Sequence, residues 1–140
     1  MKKLLPILFI SLTALFACEE DNIAVNNEIR DFIEQKYEGA QILYAEKEFN
    51  GEIDVEIIHD NIKKDVKFNR RNEWISTSWD VSIDQLPDES RASILDRYPQ
   101  YRIEDVDYIE TPSGDHYKVE IEKGEWDRTV FVTADGVILN

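Results

Sequence analysis

The chain repeats itself, and the repeat limits what it can fold into. One stretch holds Ile29, Phe32, Ile33, Tyr37 and Ile42, then Ile53-Asp-Val-Glu-Ile57, Val66-Lys-Phe68 and Asn72-Glu-Trp-Ile75. A second holds Ser90, Ile94, Leu95, Tyr98 and Ile103, then Tyr117-Lys-Val-Glu-Ile121, Thr129-Val-Phe131 and Asp135-Gly-Val-Ile138. Tyr37 to Tyr98 and Ile42 to Ile103 are each 61 residues; Val55 to Val119 is 64 and Phe68 to Phe131 is 63. Small drift of this kind is what loop insertions leave in a duplicated unit.

Each unit reads as a helix followed by strands. Asn26 or Asn27 can cap a first helix, with Glu28 suited to its first turn. Ile29, Phe32, Ile33 and Tyr37 recur at helical spacing, and Gly39 is a stop signal. In the second unit Pro87 and Asp88 open a helix, Ala92, Ile94 and Leu95 supply its buried side, and Tyr98-Pro99 ends it. Ile53 to Ile57 and Tyr117 to Ile121 then alternate apolar and charged residues, the pattern of strands with one face on a core and one in water. Asn50-Gly51 and Ser113-Gly114 are hairpin turns by composition. The expectation is an α+β protein. Two tandem helix-plus-four-strand repeats, 27–82 and 83–140, form one curved antiparallel sheet with both helices on one face. Asp54, Glu56, Lys118, Glu120 and Glu122 would then lie on the uncovered face.

Composition bears on partners. The 140 residues carry a formal net charge of −14, yet are 42% hydrophobic and 11% aromatic, which fits a packed core rather than disorder. The acidic balance argues against nucleic acid, whose phosphates are bound by clustered Lys and Arg. At the N-terminus Lys2 and Lys3 precede an apolar stretch, 4–17, that is shorter than the roughly 20 residues a membrane-spanning helix needs. Residues 1–17 therefore read as a signal peptide. The stretch closes on Leu15-Phe16-Ala17-Cys18, which resembles the lipobox of bacterial lipoproteins. That resemblance implies diacylglycerol on the Cys18 sulfur and cleavage before it, with the membrane as a partner through the lipid. Cys18 is the single cysteine, and acylation explains a thiol that cannot pair internally. Glu19, Glu20 and Asp21 resemble the surface-export signal of some Gram-negative groups. Residues 18–26 read as an acidic tether. The expected location is the outer membrane, with the periplasmic and outward-facing sides both open.

The repeat itself resembles the PepSY-like proteins exported by some Gram-negative bacteria. Tyr98-Pro99 matches that family's Tyr-Pro element, Tyr117-Lys-Val-Glu-Ile121 its strand, and Phe68 with Trp74 its Phe-Asp-x-x-Gly-x-Trp element, Asn72 standing where Gly is usual. The likeness covers the chain from about residue 27. It implies a fold similar to beta-lactamase inhibitory protein, and an association with holding or inhibiting proteases. It brings no catalytic residues.

No catalytic constellation stands out in the residues themselves. His59 and His116 each sit beside an Asp in a turn, too few ligands for a zinc site. No loop has the oxygen-ligand spacing of a calcium motif, although Asp60-Asn61 and Asp105/Asp107 offer oxygens. No Gly-rich phosphate loop and no serine elbow are present. Neither a metal nor a cofactor is expected. The aromatic residues exceed what two small cores need, and aromatics are favoured at interfaces. The candidate interface comprises Trp126, placed in the turn beside Lys123, with Tyr108, Tyr44, Glu56, Glu120 and Glu122. The expected function is a non-catalytic envelope lipoprotein that binds a protein or peptide partner through the open sheet face, with protease or hydrolase inhibition as one form of that binding. The alternative is a structural or accessory envelope protein without a specific ligand. An enzyme would need a deep pocket with convergent polar groups.

Overall fold

The computed structural model describes residues 23–139. The readings placed on 1–17, on Cys18 and on the acidic run Glu19 to Asp21 lie outside the described residues. The tether read over 18–26 is too long, because the Ile23 N–H donates to the Ala45 carbonyl at 2.8 Å and Ile23 and Val25 pack against the first core.

The first helix, α1 (Asn27–Lys36), starts where the Asn26 side chain accepts a hydrogen bond from the Ile29 N–H at 2.9 Å. Glu28 and Lys36 sit at the dipole ends that favour their charges. The second helix, α2 (Asp88–Arg97), follows a single 3-10 turn, Ile83–Gln85, that the sequence pattern did not announce. Both helices stop the same way. The cap residues Tyr37 and Tyr98 have φ, ψ of −128°, 68° and −129°, 63°. Their N–H groups donate to Ile33 and Ile94 at 2.8 Å, and their carbonyls accept from Ala40 and Tyr101 at 3.0 Å.

The strands are β1 (Gln41–Lys47), β2 (Ile53–His59), β3 (Ile62–Phe68), β4 (Trp74–Asp80), β5 (Arg102–Glu110), β6 (His116–Lys123), β7 (Trp126–Val132) and β8 (Ile138–Leu139). They form one antiparallel sheet in chain order. A bulge interrupts β1 between Ile42 and Tyr44, and β5 at the matching place between Ile103 and Asp105. Asp60 and Asn61, with φ of 52° and 61°, make the two-residue turn between β2 and β3, since a twisted hairpin favours left-handed residues there.

Register shows which side is covered. Val55, Val66, Thr77 and Glu110 stand opposite one another across β2 to β5, and Val106, Val119 and Val130 across β5 to β7. Side chains alternate along a strand, so all of these share one face. On it Ile29, Ile33 and Tyr37 pack with Ala45, Val55, Ile57, Val66 and Phe68. Ile94 and Leu86 pack there with Val106, Val119, Ile121, Val130 and Val132. Both helices therefore lie on one face, as the sequence predicts, and no described element covers the other.

Two details differ from the sequence reading. The buried residues of α2 are Ser90 and Ile94, with Leu86 buried just before the helix, while Ala92 and Leu95 are exposed. Ser90 is buried because its hydroxyl donates to the Thr133 carbonyl at 2.8 Å in the β7–β8 turn. Phe131 is not the counterpart of Phe68. Val55 faces Val66 as Val119 faces Val130, so the partner of Phe68 in the second unit is Val132, 64 residues on. Phe68 and Val132 are fully buried, whereas Phe131 points to the opposite face and is 39% exposed.

Candidate binding face

The uncovered face is built by every second residue of the strands. One row crosses β1 to β6 as Tyr44, Glu56, Asp65, Ser78, Ile109 and His116. The next runs over β4 to β8 as Asp80, Asp107, Lys118, Phe131 and Leu139. Carboxylates stand directly opposite carboxylates at Glu46–Asp54, Glu56–Asp65, Asp80–Asp107, Asp105–Glu120 and Glu122–Asp127. Like charges in that position destabilise a sheet.

Local cations offset part of this repulsion. Lys63 reaches Glu56 at 2.7 Å, Lys67 reaches Asp54 at 3.4 Å, and Lys118 lies 3.2 Å from both Asp107 and Glu120. Arg102 bridges Glu104 and Glu122. Among the described residues, neither Asp65 nor Asp80 has an ion-pair partner. Desolvation, and then Glu56, raise the Asp65 carboxyl above its ordinary value. A hydrogen bond with Asp107, and then burial, raise Asp80. Glu56, Lys63, Asp65, Ser78, Asp80, Asp107 and Lys118 border a depression of about 430 Å³ over β2 to β6. Beside it Ile109, His116, Phe131 and Leu139 form an apolar patch, with the His116 and Phe131 rings 5.9 Å apart.

The candidate residues divide among three places. Tyr44, Glu56, Glu120 and Glu122 share the open face, where the Tyr44 hydroxyl donates to Glu46 at 3.2 Å. Trp126 stands at the tip of the β6–β7 hairpin and is 75% exposed. Tyr108 is on the helix side, paired with Trp79 and Tyr117 at ring distances of 4.9 and 5.2 Å, and its hydroxyl donates to Asp115 at 2.8 Å. Burial first, and then Asp115, push its phenol pKa well above the ordinary range. The sequence reading missed Ile109, His116 and Phe131. The available signal was Phe131 between Val130 and Val132, an apolar residue at the parity of the wet face.

On the helix side the seam between the units is filled by long side chains. Lys64 is buried, its ammonium 4.1 Å from the Trp79 ring centre and 5.0 Å from that of Tyr37. The Tyr37 hydroxyl lies 2.6 Å from Glu110 Oε2 and 2.7 Å from Thr77 Oγ1. Thr77 accepts in turn from Trp74 Nε1 at 3.0 Å, and Lys36 pairs with Glu110 at 3.4 Å. Burial, and then Glu110, raise the Tyr37 pKa far beyond the ordinary phenol value, so it stays a neutral donor.

His59 is on the helix face and His116 on the open face, so the fold keeps them apart. The carboxylate oxygens of Glu46, Glu48 and Asp54, and of Asp80, Asp105 and Asp107, approach within 4.8 Å of one another. Three oxygens are fewer than the six to eight that calcium takes. Among the described residues no helix is long and apolar enough to cross a membrane.

Comparison with known proteins adds to this geometry. A family model described as "Putative beta-lactamase-inhibitor-like, PepSY-like" matches residues 51–140. No curated protein matches the chain. Among solved structures, a BLIP-like protein of Bacteroides fragilis superimposes with a TM-score of 0.71 at 21% identity, over 84% of this chain and 85% of that one. A DUF2874 family protein of Bacteroides ovatus gives 0.71 at 18% identity, over 85% and 87%. A structure from Bacteroides eggerthii described as "putative periplasmic proteins" gives 0.69 at 13% identity, over 84% and 88%. At these identities the likeness is one of fold.

Proposed function

This chain belongs to the PepSY-like, beta-lactamase-inhibitor-like family, and on that premise we propose that it is a non-catalytic binding module of the cell envelope. It takes a protein or peptide partner on the open face of its sheet and acts on that partner as an inhibitor of a protease or other hydrolase. The observation that carries this reading is the one-sided sheet. Both helices pack against one face, and the other presents a broad, ordered, chemically varied surface with no described cover. The family's inhibitor-like description supports it. The signal-like N-terminus and the likeness to a structure described as periplasmic support the location. Lipid on Cys18 would hold the module to the outer membrane by a short acidic tether.

Photo-crosslinking in cells tests the binding face. A photoreactive residue at Glu56 or Glu120 should give a discrete adduct, and one at Glu34 or Asp96 on the helices should not. Adducts from the helix positions alone, or from none, would contradict the reading. Palmitate labelling tests the anchor: label on the wild type that is lost in Cys18→Ser supports it, and an unlabelled wild type removes it.

A further inference from the structure

The open face carries more unfavourable electrostatics than its fold requires. Strands can alternate charge across a sheet at no cost in packing, and opposite pairs would be stabilising. Here carboxylates face carboxylates at Glu56–Asp65, Asp80–Asp107 and Asp105–Glu120, in the middle of the face rather than at its margins. Lys63 and Lys118 compensate Glu56, Asp107 and Glu120, and leave Asp65 and Asp80 with no ion-pair partner among the described residues. Both of these border the depression. Next to this acidic zone, Phe131 and Leu139 are 39% and 38% exposed on the same face, with Ile109 and His116 beside them. A local rule broken at these central pairs, while opposite-charge pairs such as Asp54–Lys67 and Asp107–Lys118 stand beside them, is expected where the gain comes from a partner.

We infer that the partner of the open face is a cationic protein surface, one that sets Lys or Arg side chains against Asp65 and Asp80 and an apolar side chain on the Phe131–Leu139 patch. This rests on the binding-face reading above and adds the chemistry of the occupant. Charge complementarity selects among occupants. A second copy of this chain, face to face, would bring the same carboxylates against each other. An acidic partner would meet the same repulsion, whereas a basic one relieves it and is steered toward the face over a distance set by the salt concentration. The apolar patch supplies the desolvated anchor around which such charges act.

Selection from a random peptide library, displayed on phage, against the full chain tests this before any natural partner has been identified. Selected peptides should be rich in Lys and Arg around an apolar residue. Their binding should fall about tenfold or more from low to high salt, and by about tenfold in Asp65→Asn/Asp80→Asn and in Phe131→Ser. Arg91→Gln, on α2, should leave it unchanged. Asp65, Asp80 and Phe131 are exposed, so their substitution leaves the core intact, and thermal melts of each variant verify folding. Peptides that lose binding in Phe131→Ser yet show no cationic bias and no salt dependence would overturn the inference and leave the binding face standing. Peptides indifferent to every open-face substitution, or no enrichment at all, would overturn both.

Discussion

Thr77 is fully buried and sits at the centre of a polar relay on the helix side. A phenol carries one proton, so with the Glu110 carboxylate accepting from Tyr37, the Thr77 hydroxyl donates to the Tyr37 oxygen while its own oxygen takes the Trp74 N–H. Thr77→Val removes both functions and leaves the indole donor unsatisfied, at a cost of about 1–3 kcal/mol in a urea melt. Asp65 shows the opposite sign. Its carboxyl is raised above the ordinary value of 3.8, so the folded state holds the proton more tightly than the unfolded chain. Stability is then lost as pH rises from that value through the raised one, and the penalty is complete at pH 7. Asp65→Asn should therefore stabilise the protein at pH 7, by less than about 1 kcal/mol because the group is exposed and screened. The gain should vanish below the unfolded value. An equal gain in melts at pH 7 and pH 3 would rule out charge repulsion as its cause.

The contact of α2 with the β7–β8 turn shows an element held by close approach. Gly136 has φ of 85°, and a Cβ there would lie 2.7 Å from the Glu89 carbonyl oxygen and from Ser93 Oγ. Gly39 has φ of 79° but no atom within 4 Å of such a Cβ. Gly136→Ala should cost about 1–3 kcal/mol from strain and clash together, and Gly39→Ala clearly less. Equal losses would mean that backbone conformation alone matters. The element scale also shows what was legible in the sequence. Helices, strands and repeat could be read because periods of 3.6 and 2 are imposed by burial. The pairing of Phe68 with Phe131 missed by one residue, and a slip of one turns a side chain to the other face. Side-chain identity favoured 63 where backbone register is 64. Asn72 and Gly136, 64 apart with φ of 63° and 85°, mark the true alignment. Glu56, Glu120 and Glu122 were assigned to the open face by alternation with buried neighbours. The same alternation from Val106 places Tyr108 on the helix side, away from them.

At the scale of the molecule, two similar units share one sheet through β4 and β5. Their seam is reinforced by Trp79 against Tyr108, and by Lys36 and Tyr37 of the first unit meeting Glu110 of the second. The chain should unfold in one transition, with near- and far-ultraviolet signals melting together; two separate transitions would show independent halves. Burying both helices on one side of that sheet leaves the other side for contact, and this is the claim on which the functional account depends. Carboxyl footprinting tests it most directly, by comparing the purified chain with the chain in intact cells. The account predicts that Glu56, Asp65, Asp107 and Glu120 are labelled less in cells, while Glu34, Glu89 and Asp96 on the helices are labelled equally in both. Protection of the helix carboxylates instead, or equal labelling of the open face in both settings, would contradict it.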